Sequence, residues 1–301
     1  MHNLAYKIVR GLMVVLGKLP LGFHYAWAGL ISRLAGSVIH YRRDVVMTNI
    51  SRSFPDKKYK DLKVISRDFY RHFGEIIAEA IWFAGATPER LRRSHIVEME
   101  NPEELNRLYS NSPSVLLLAS HAGNWELFGG YYSYSYSQPM ACGENDVCIV
   151  YKKLSSPVWD DVMKANRVAP VVDKEHFDGV VESQEVIRYM VRHRSDRKIY
   201  CFITDQHPYR GSAGIDVGEF MHQPTTSMDG GAKLACKFGM SVAYLTMERA
   251  GRGHYRLKFV TICEDASATS PEAIMRKYYE LLQKDIEAQP SNYLWTHKRW
   301  K

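Results

Sequence analysis

The two residues best suited to chemistry in this sequence are His121 and Glu126, which lie five positions apart in the segment HAGNWE. An imidazole that a carboxylate holds at one ring nitrogen can accept a proton at the other, as a general base does. Residues five apart on one helix point roughly 140° away from each other, so a shared helix face does not bring these two together. We expect them to meet at a strand-to-helix corner instead.

The residues around this pair predict such a corner. Residues 115–119 form an uninterrupted apolar run, which is typical of a parallel strand buried on both faces. Ala122 and Gly123 then predict a turn, and Asn124 predicts the N-cap of a helix that begins at Trp125. The alternative is a surface histidine beside an acidic residue that the helix dipole favours. The position favours catalysis, because functional groups of α/β proteins gather at the carboxyl ends of strands.

Two further predicted strands, residues 147–151 and 198–204, also end in pairs of polar residues. These polar residues are Lys152, Lys153, Asp205 and Gln206. Lysines in such a place are usually only solvated, but several strands that deliver polar groups to one sheet edge favour an anion site. We therefore expect the two lysines to engage an anion.

Composition narrows the function classes without choosing one. The formal net charge of +7 calls for an acidic partner, which would be nucleic acid, an anionic membrane, or a phosphate-bearing or acidic carrier substrate. Nucleotide binding and serine hydrolysis lack support, because G-x-G-x-x-G, the P-loop and G-x-S-x-G are absent from the sequence. His121 has no second His or Cys at metal-ligand spacing, so we expect no metal site. The five scattered cysteines are typical of buried thiols in a reducing compartment.

Predicted strands alternate with predicted helices, which indicates an α/β fold with a mainly parallel central sheet flanked by helices. The predicted helices include residues 58–83, 181–193 and 271–288, and later strands are predicted at residues 241–247 and 255–261. Residues 207–226 have little regular pattern, and we expect an ordered loop that borders the site. Thr225, Thr226 or Ser227 is expected to cap the helix that follows.

The first 39 residues are apolar but interrupted by basic side chains, Pro20 and Gly22. Their longest charge-free piece, residues 19–32, is shorter than the roughly 18–20 residues that cross a bilayer. Its aromatic residues and basic flanks are typical of helices at the headgroup boundary, although a helical hairpin packed in the core fits the pattern equally well. The prediction is a membrane-associated helical segment over residues 1–39 and a catalytic domain over residues 40–301.

Four sequence motifs, here called landmarks, follow one another along the chain and together span nearly all of it. They are the block from Tyr41-Arg42 through Asn49 to Phe54-Pro55, the His-x4-Glu box HAGNWE, the Asp205-Gln206 pair, and the terminal Trp295-x-His297-Lys298-Arg299-Trp300. Together they resemble the late acyltransferases of lipid A biosynthesis, a branch of the lysophospholipid acyltransferase superfamily.

The resemblance implies a bacterial enzyme on the cytoplasmic face of the inner membrane. Such an enzyme moves a fatty acyl group from an acyl carrier protein thioester to a hydroxyl on a 3-hydroxyacyl chain of a phosphorylated glucosamine disaccharide. The expected partners are the acyl carrier protein, the lipid acceptor and the membrane surface, with no nucleic acid. Because the thioester is itself a substrate, no cofactor is implied.

Carried over by position, His121 and Glu126 match the family's catalytic dyad, and the Asp205-Gln206 pair matches its DQ motif, which would shape the site. Tyr151-Lys152 falls where the family often has Tyr-Arg followed by Pro. This departure affects phosphate recognition, because lysine is a point charge without the bidentate fork of arginine.

The chemistry also follows from the residues themselves. An alcohol that attacks a thioester must lose its proton as the new bond forms, and a positioned His contributes typically 10²–10⁴-fold to such a step. No covalent enzyme intermediate is required. The oxyanion would be stabilised by amides at the helix start, residues 124–126, or by Lys152, and Asn124 is therefore included among the candidate substrate-binding residues.

Two alternatives stay open at the level of sequence. An acyltransferase for a lysophospholipid, a glycolipid or an amino-acid lipid would use the same dyad, and its donor would be a carrier-protein or coenzyme A thioester. A basic membrane- or nucleic-acid-binding protein without catalysis is the second alternative. The dispersed charges and the lack of a recognised binding motif disfavour it.

Overall fold

The computed structural model describes residues 2–208 and 214–300. The α-helices are α1 (His2–Gly17), α2 (Leu21–Arg33), α3 (Arg43–Ser53), α4 (Tyr59–Phe83), α5 (Pro88–Ser94), α6 (Pro102–Asn111), α7 (Pro157–Arg167), α8 (Val186–Arg192), α9 (Gly230–Phe238) and α10 (Pro271–Ala288). The strands are β1 (Val97–Met99), β2 (Val115–Ala119), β3 (Val147–Tyr151), β4 (Val180–Glu182), β5 (Ile199–Ile203), β6 (Ile215–Phe220), β7 (Gln223–Ser227), β8 (Ser241–Gly251) and β9 (His254–Cys263). A π-helical turn covers Leu34–Val38, and a 3₁₀ helix covers Trp125–Ser133.

Seven strands form one sheet in the order β1-β9-β8-β2-β5-β3-β4. Neighbouring strands are parallel except β8 and β9, which form an antiparallel hairpin. The prediction of a mainly parallel α/β sheet is therefore confirmed. Because β2, β3 and β5 run parallel to one another, the residues that follow these three strands lie at the same edge of the sheet.

The central strand β2 is buried along its whole length. Leu116 and Leu118 belong to the hydrophobic cluster on one face of the sheet, and Leu117 belongs to the cluster on the other face. Successive side chains of a strand point to opposite faces, so a strand covered on both faces needs an unbroken apolar run. The run at residues 115–119 supplies it and delivers HAGNWE to the edge of the sheet.

The predicted helix at residues 181–193 is wrong in its first part. Residues Val180–Glu182 form the edge strand β4, and α8 begins only at Val186. A strand of three residues is too short to show the alternation that separates a strand from a helix in sequence.

The predicted irregular loop at residues 207–226 contains the β6–β7 hairpin instead. This hairpin carries polar residues and a register shift, which break the strict alternation by which strands are recognised. The predicted capping residues, 225–227, lie in β7, and Asp229 directly precedes α9. Residues 209–213 of the predicted loop lie outside the described residues.

The N-terminal helices α1 and α2 pack onto α4, and α1 also packs onto α7. A Cβ atom at Gly17 would lie 2.6 Å from the backbone nitrogen of Gly85, and one at Gly74 would lie 2.6 Å from the carbonyl oxygen of Ala28. Helix backbones approach this closely only where a side chain is missing. Residues 2–33 are thus seated on the rest of the protein, and a domain boundary at residue 39 stays a prediction.

The outer face of this helix pair is apolar and exposed. On α1 the exposed apolar side chains are spaced three or four residues apart and are Leu4, Ile8, Leu12 and Val15. On α2 and the π-helical turn they are Phe23, Trp27, Leu30, Leu34 and Val38. Across residues 2–208 and 214–300, no helix combines the length and the apolar character that a bilayer crossing requires. Membrane association of this segment stays a prediction.

An ion-pair cluster around the buried carboxylate of Glu75 fastens α4 to the β8–β9 hairpin. The carboxylate of Glu75, which is 1% exposed, accepts hydrogen bonds from the guanidinium groups of Arg249 and Arg252. Burial opposes ionisation of Glu75, but the nearby His72 imidazole and the two arginines outweigh it and lower the pKa of this carboxyl to about 2. The folded protein therefore holds Glu75 as a carboxylate at all but very low pH.

We expect Glu75→Gln to lower the free energy of unfolding at neutral pH by on the order of 2–3 kcal/mol. The pKa of Glu75 is lower in the folded state than its ordinary value of 4.5. Its contribution is thus complete above pH 4.5 and is lost as the pH falls toward 2, so the variant should show a weaker pH dependence in that window. Urea unfolding followed by circular dichroism at several pH values measures both effects.

Glu280→Gln is the matched control for this prediction. Glu280 also pairs with two cations, Lys277 and Lys284, but it does so on the exposed face of α10. Surface ion pairs contribute little to stability because water and salt screen them. Equal losses of stability in the two variants would contradict the role assigned to the buried Glu75 carboxylate.

Candidate active site

The parallel register of β2 and β5 brings His121 and Asp205 together. Ala119 at the end of β2 pairs with Ile203 at the end of β5, and each functional residue follows its paired residue by two positions. Nδ1 of His121 lies 2.7 Å from Oδ1 of Asp205. Asp205 is 1% exposed, whereas His121 is only partly buried, so the imidazole lies between a buried carboxylate and the sheet edge.

Asp205 is held as a carboxylate. Burial opposes its ionisation, but the His121 imidazole, through charge attraction and hydrogen bonding, keeps the pKa of Asp205 below its ordinary value. The side chain of Tyr293 also lowers the pKa of this carboxyl, and burial raises the pKa of that phenol well above its usual range. A carboxylate only accepts hydrogen bonds, so it selects the imidazole tautomer that carries its proton on Nδ1.

The other ring nitrogen faces Gln206. The side-chain amide nitrogen of Gln206 lies 3.2 Å from Nε2 of His121. With Nδ1 protonated, Nε2 carries a lone pair and accepts a hydrogen bond from this amide. The structure therefore brings His121, Asp205 and Gln206 into one hydrogen-bonded group, with Nε2 as its proton acceptor.

The turn that carries His121 is fastened to the C-terminal segment. The carbonyl oxygen of His121 accepts a hydrogen bond from the Leu294 amide at 3.1 Å, and the Gly123 amide donates to the Asn292 carbonyl oxygen at 3.0 Å. Gly123 has φ +71°, and the side chain of Met247 fills the space where a Cβ atom would lie. The glycine is thus required both by its backbone conformation and by the close approach of Met247.

Asn124 closes the turn on its far side. Its Oδ1 accepts a hydrogen bond from the Glu126 amide at 3.2 Å, which is the predicted N-cap contact, although the segment that follows is a 3₁₀ helix. Its Nδ2 donates to Oε2 of Glu79 at 2.8 Å. Asn124 is fully buried, and both ends of its amide are engaged inside the protein. A direct contact between Asn124 and substrate stays a prediction.

Glu126 lies beside the site and contacts His121 only through Trp125, not directly as expected. Its Oε1 accepts a hydrogen bond from Nε1 of Trp125 at 3.1 Å, and the Trp125 ring meets the His121 ring edge-on with centroids 4.9 Å apart. Its Oε2 lies 3.7 Å from Nη2 of Arg167, whose guanidinium stacks over the Tyr151 ring. The carboxylate on Nδ1 of His121 belongs to Asp205, and a catalytic role for Glu126 stays a prediction.

Lys152 and Lys153 follow β3 directly, and both are exposed. β3 lies two strands from β2 in the sheet, and its carboxyl end is at the same edge as His121. The two lysines are thus placed at the expected edge of the sheet. Their engagement of an anion stays a prediction.

Three residues that the sequence analysis does not single out contribute to this site: Tyr293, Arg167 and Glu79. Glu79 is an acidic residue on the apolar face of α4, and that mismatch is a signal in the sequence. Tyr293 lies two positions before the terminal landmark but has no pattern of its own. Arg167 ends α7, and its position beside Glu126 depends on how α7 packs, which no local pattern in the sequence encodes.

The first and last of the four landmarks meet in space. Nδ2 of Asn49 donates to the carbonyl oxygens of Trp295 and His297 at 2.9 and 2.8 Å, and Nη1 of Arg42 donates to the carbonyl oxygen of Thr296 at 3.0 Å. The same C-terminal segment holds the HAGNWE turn. Within the described residues, there is no group of three or more His, Cys, Asp or Glu side chains placed to hold a metal ion.

Comparison with known proteins agrees with this convergence of landmarks. A search of curated proteins found no match. A family model described as bacterial lipid A biosynthesis acyltransferase matches residues 2–301, the chain except for its first residue. On the strength of that match, the chain belongs to the bacterial lipid A biosynthesis acyltransferase family.

Proposed function

We propose that this protein is a membrane-associated O-acyltransferase that moves a fatty acyl group from acyl carrier protein to a hydroxyl of a lipid A precursor. The family supports acyl transfer in lipid A biosynthesis. The observation that carries the rest is the 2.7 Å contact between His121 Nδ1 and Asp205, because it leaves Nε2 as a base at the sheet edge. The proposed location is the cytoplasmic face of the bacterial inner membrane.

In the proposed mechanism, the acceptor hydroxyl takes the place of the Gln206 amide at Nε2 of His121. Nε2 removes the hydroxyl proton as the oxygen attacks the carbonyl carbon of the thioester. The tetrahedral intermediate then collapses, the carbon–sulfur bond breaks, and the departing thiolate takes the proton back from the imidazolium. Asp205 stabilises the imidazolium in between, and no covalent enzyme intermediate forms.

Two of the expected oxyanion donors are already engaged inside the protein. The Glu126 amide donates to Asn124 Oδ1, and the Asn124 amide lies 3.2 Å from the sulfur of Met247. Of the candidate amides from the sequence, that of Trp125 is the proposed oxyanion donor. Glu126 contributes by holding the indole of Trp125 against the His121 ring.

The proposed membrane association rests on the exposed apolar faces of α1 and α2. Side chains such as Ile8 and Trp27, which are 61% and 52% exposed, lie on surfaces that the rest of the protein leaves uncovered. Insertion of such a face into the headgroup boundary would remove apolar area from water without a bilayer-spanning helix. The chain's positive charge would add attraction to an anionic leaflet.

His121→Ala should lower kcat by about 10²–10⁴-fold with little change in KM, because the proton acceptor itself is lost. Asp205→Asn should be similarly severe, since an amide can present its NH₂ group to Nδ1 and select the wrong tautomer. Glu126→Gln should be milder, because its contact with the imidazole is indirect. The assay is acyl transfer with purified protein, acyl carrier protein thioester and a lipid A precursor, with products identified by mass spectrometry.

His176→Ala is the matched control for that series. Nδ1 of His176 also contacts an aspartate carboxylate, that of Asp173, at 2.9 Å. This pair is exposed and lies outside the site. This variant should keep full activity. Near-normal transfer by His121→Ala, in a protein whose circular dichroism and melting are unchanged, would return the HAGNWE turn to a structural role.

Replacement of Lys152 and Lys153 together by Gln should raise KM for one substrate, either the phosphorylated acceptor or the acidic carrier protein. The effect should shrink with added salt, because exposed charges are screened over roughly 8–10 Å near physiological ionic strength. Lys57 and Lys58, another adjacent and exposed pair, provide the control. An unchanged KM for both substrates would show that Lys152 and Lys153 engage no substrate anion.

Membrane binding is better tested by point variants than by deletion, because removal of residues 1–39 would uncover the face of α4 on which α2 packs. Ile8→Glu combined with Leu12→Glu should weaken binding to anionic phospholipid vesicles at least about tenfold in a flotation assay, since two apolar anchors become charged. Ile187→Glu with Val191→Glu, on the exposed face of α8, is the control and should bind normally. Unaltered flotation of the α1 variant would contradict the proposed interface.

A further inference from the structure

We propose that Glu79 is a positioning residue for acyl transfer, which holds the catalytic turn through Asn124 and links it to helix α2 through Tyr25. This inference rests on the proposed function, since it concerns the geometry of the same site. Glu79 touches none of the reacting groups. Its role would be to fix the turn that carries His121.

Glu79 lies at the meeting point of three parts of the fold. Its Oε1 accepts a hydrogen bond from the Tyr25 hydroxyl of α2 at 2.7 Å. Its Oε2 accepts hydrogen bonds from Asn124 Nδ2 and from the Tyr255 hydroxyl of β9, both at 2.8 Å. The side chain is 0% exposed, so these contacts are shielded from water.

The side-chain amide of Asn124 connects Glu79 to the backbone of the turn. Asn124 donates to Glu79 with its amide nitrogen and accepts the Glu126 amide with its oxygen, so a shift of Glu79 would be passed to the start of the 3₁₀ helix. Two helical turns earlier on α4, Nε2 of His72 lies 3.3 Å from the carbonyl oxygen of Gly123. α4 therefore holds two consecutive residues of the turn, Gly123 and Asn124. Gly123 is only two positions from His121.

Stability alone does not account for a carboxyl group at this position. Burial raises the pKa of Glu79 even though hydrogen bonds from Tyr25, Asn124 and Tyr255 oppose the rise. Ionisation of this interior carboxyl group is therefore costly. An apolar side chain of similar volume is often at least as stabilising as a buried charged group. A buried carboxyl with three directed donors is well suited to fix the orientation of its partners.

The link to Tyr25 connects the turn to the helix pair proposed to lie on the membrane. Tyr25 lies on the same helix as the exposed side chains of Phe23 and Trp27. Only two side chains, those of Tyr25 and Glu79, separate α2 from Asn124. The position of α2 on α4 and the position of the catalytic turn are therefore coupled through directed hydrogen bonds.

The test compares Tyr25→Phe and Glu79→Gln with wild type in the full-length protein. Tyr25→Phe removes one hydroxyl and one hydrogen bond, and it should lower kcat on the order of tenfold without a change in KM, because small misplacements of catalytic groups are expensive. Glu79→Gln should lower kcat further, since its NH₂ group would face one of the three donors. Hydrogen–deuterium exchange of residues 119–127 should become faster in both variants, and vesicle flotation should not change.

Tyr109→Phe is the matched control. The Tyr109 hydroxyl also donates to a carboxylate, that of Asp146, at 2.8 Å, but this pair lies away from the site. The control should keep its kcat and its exchange rates in residues 119–127, even if its melting temperature falls as much as that of Tyr25→Phe.

The inference would be overturned if Tyr25→Phe kept the wild-type kcat, whether or not its KM rose. It would also be overturned if Tyr109→Phe lost as much kcat as Tyr25→Phe. If Glu79→Gln does not fold, Tyr25→Phe decides the question alone. Failure of this inference is distinct from failure of the proposed function. In the first case His121→Ala is inactive while Tyr25→Phe is normal, and in the second case His121→Ala itself transfers acyl groups.

Discussion

The hydrogen bond between His121 Nδ1 and Asp205 is the interaction on which the rest of the site depends. It forms because β2 and β5 are parallel neighbours in a register that pairs Ala119 with Ile203. A shift by one residue would move the imidazole and the carboxylate to opposite faces of the sheet. A carboxylate on Nδ1 also leaves the lone pair on Nε2, which is the base in the proposed acyl transfer.

Much of the surrounding structure serves to hold the turn that carries this bond. The C-terminal segment fixes the backbone at His121 and Gly123, and α4 fixes the same turn from the other side through His72 and Glu79. Hydroxyl groups of α10 tyrosines bind the carbonyl oxygens at the ends of β2 and β5. Helices α3 and α4 and the C-terminal segment are thus part of the site. This explains why the four sequence landmarks are far apart in the chain yet meet at one site.

The sequence predicts the parts of the fold that rest on strong local patterns. The apolar run of β2, the periodic face of α4 and the proline-started α10 all occur where predicted. The short strand β4 and the polar β6–β7 hairpin lack such patterns and were not predictable. At the site, the residue types His121, Asp205 and Gln206 are found from the sequence. The choice of Asp205 rather than Glu126 as the carboxylate on Nδ1 is not, because it depends on a pairing between strands about 80 residues apart in the chain.

The central claim is that Asp205 sets the tautomer of His121, and ¹⁵N NMR of the histidine-labelled protein tests it most directly. Assignment of the His121 signals by comparison with His121→Gln gives the protonation of each ring nitrogen at the pH of the transfer assay. We expect a proton on Nδ1 and a free lone pair on Nε2, with this preference lost in Asp205→Asn. A neutral imidazole with its proton on Nε2 in the wild-type protein would contradict it.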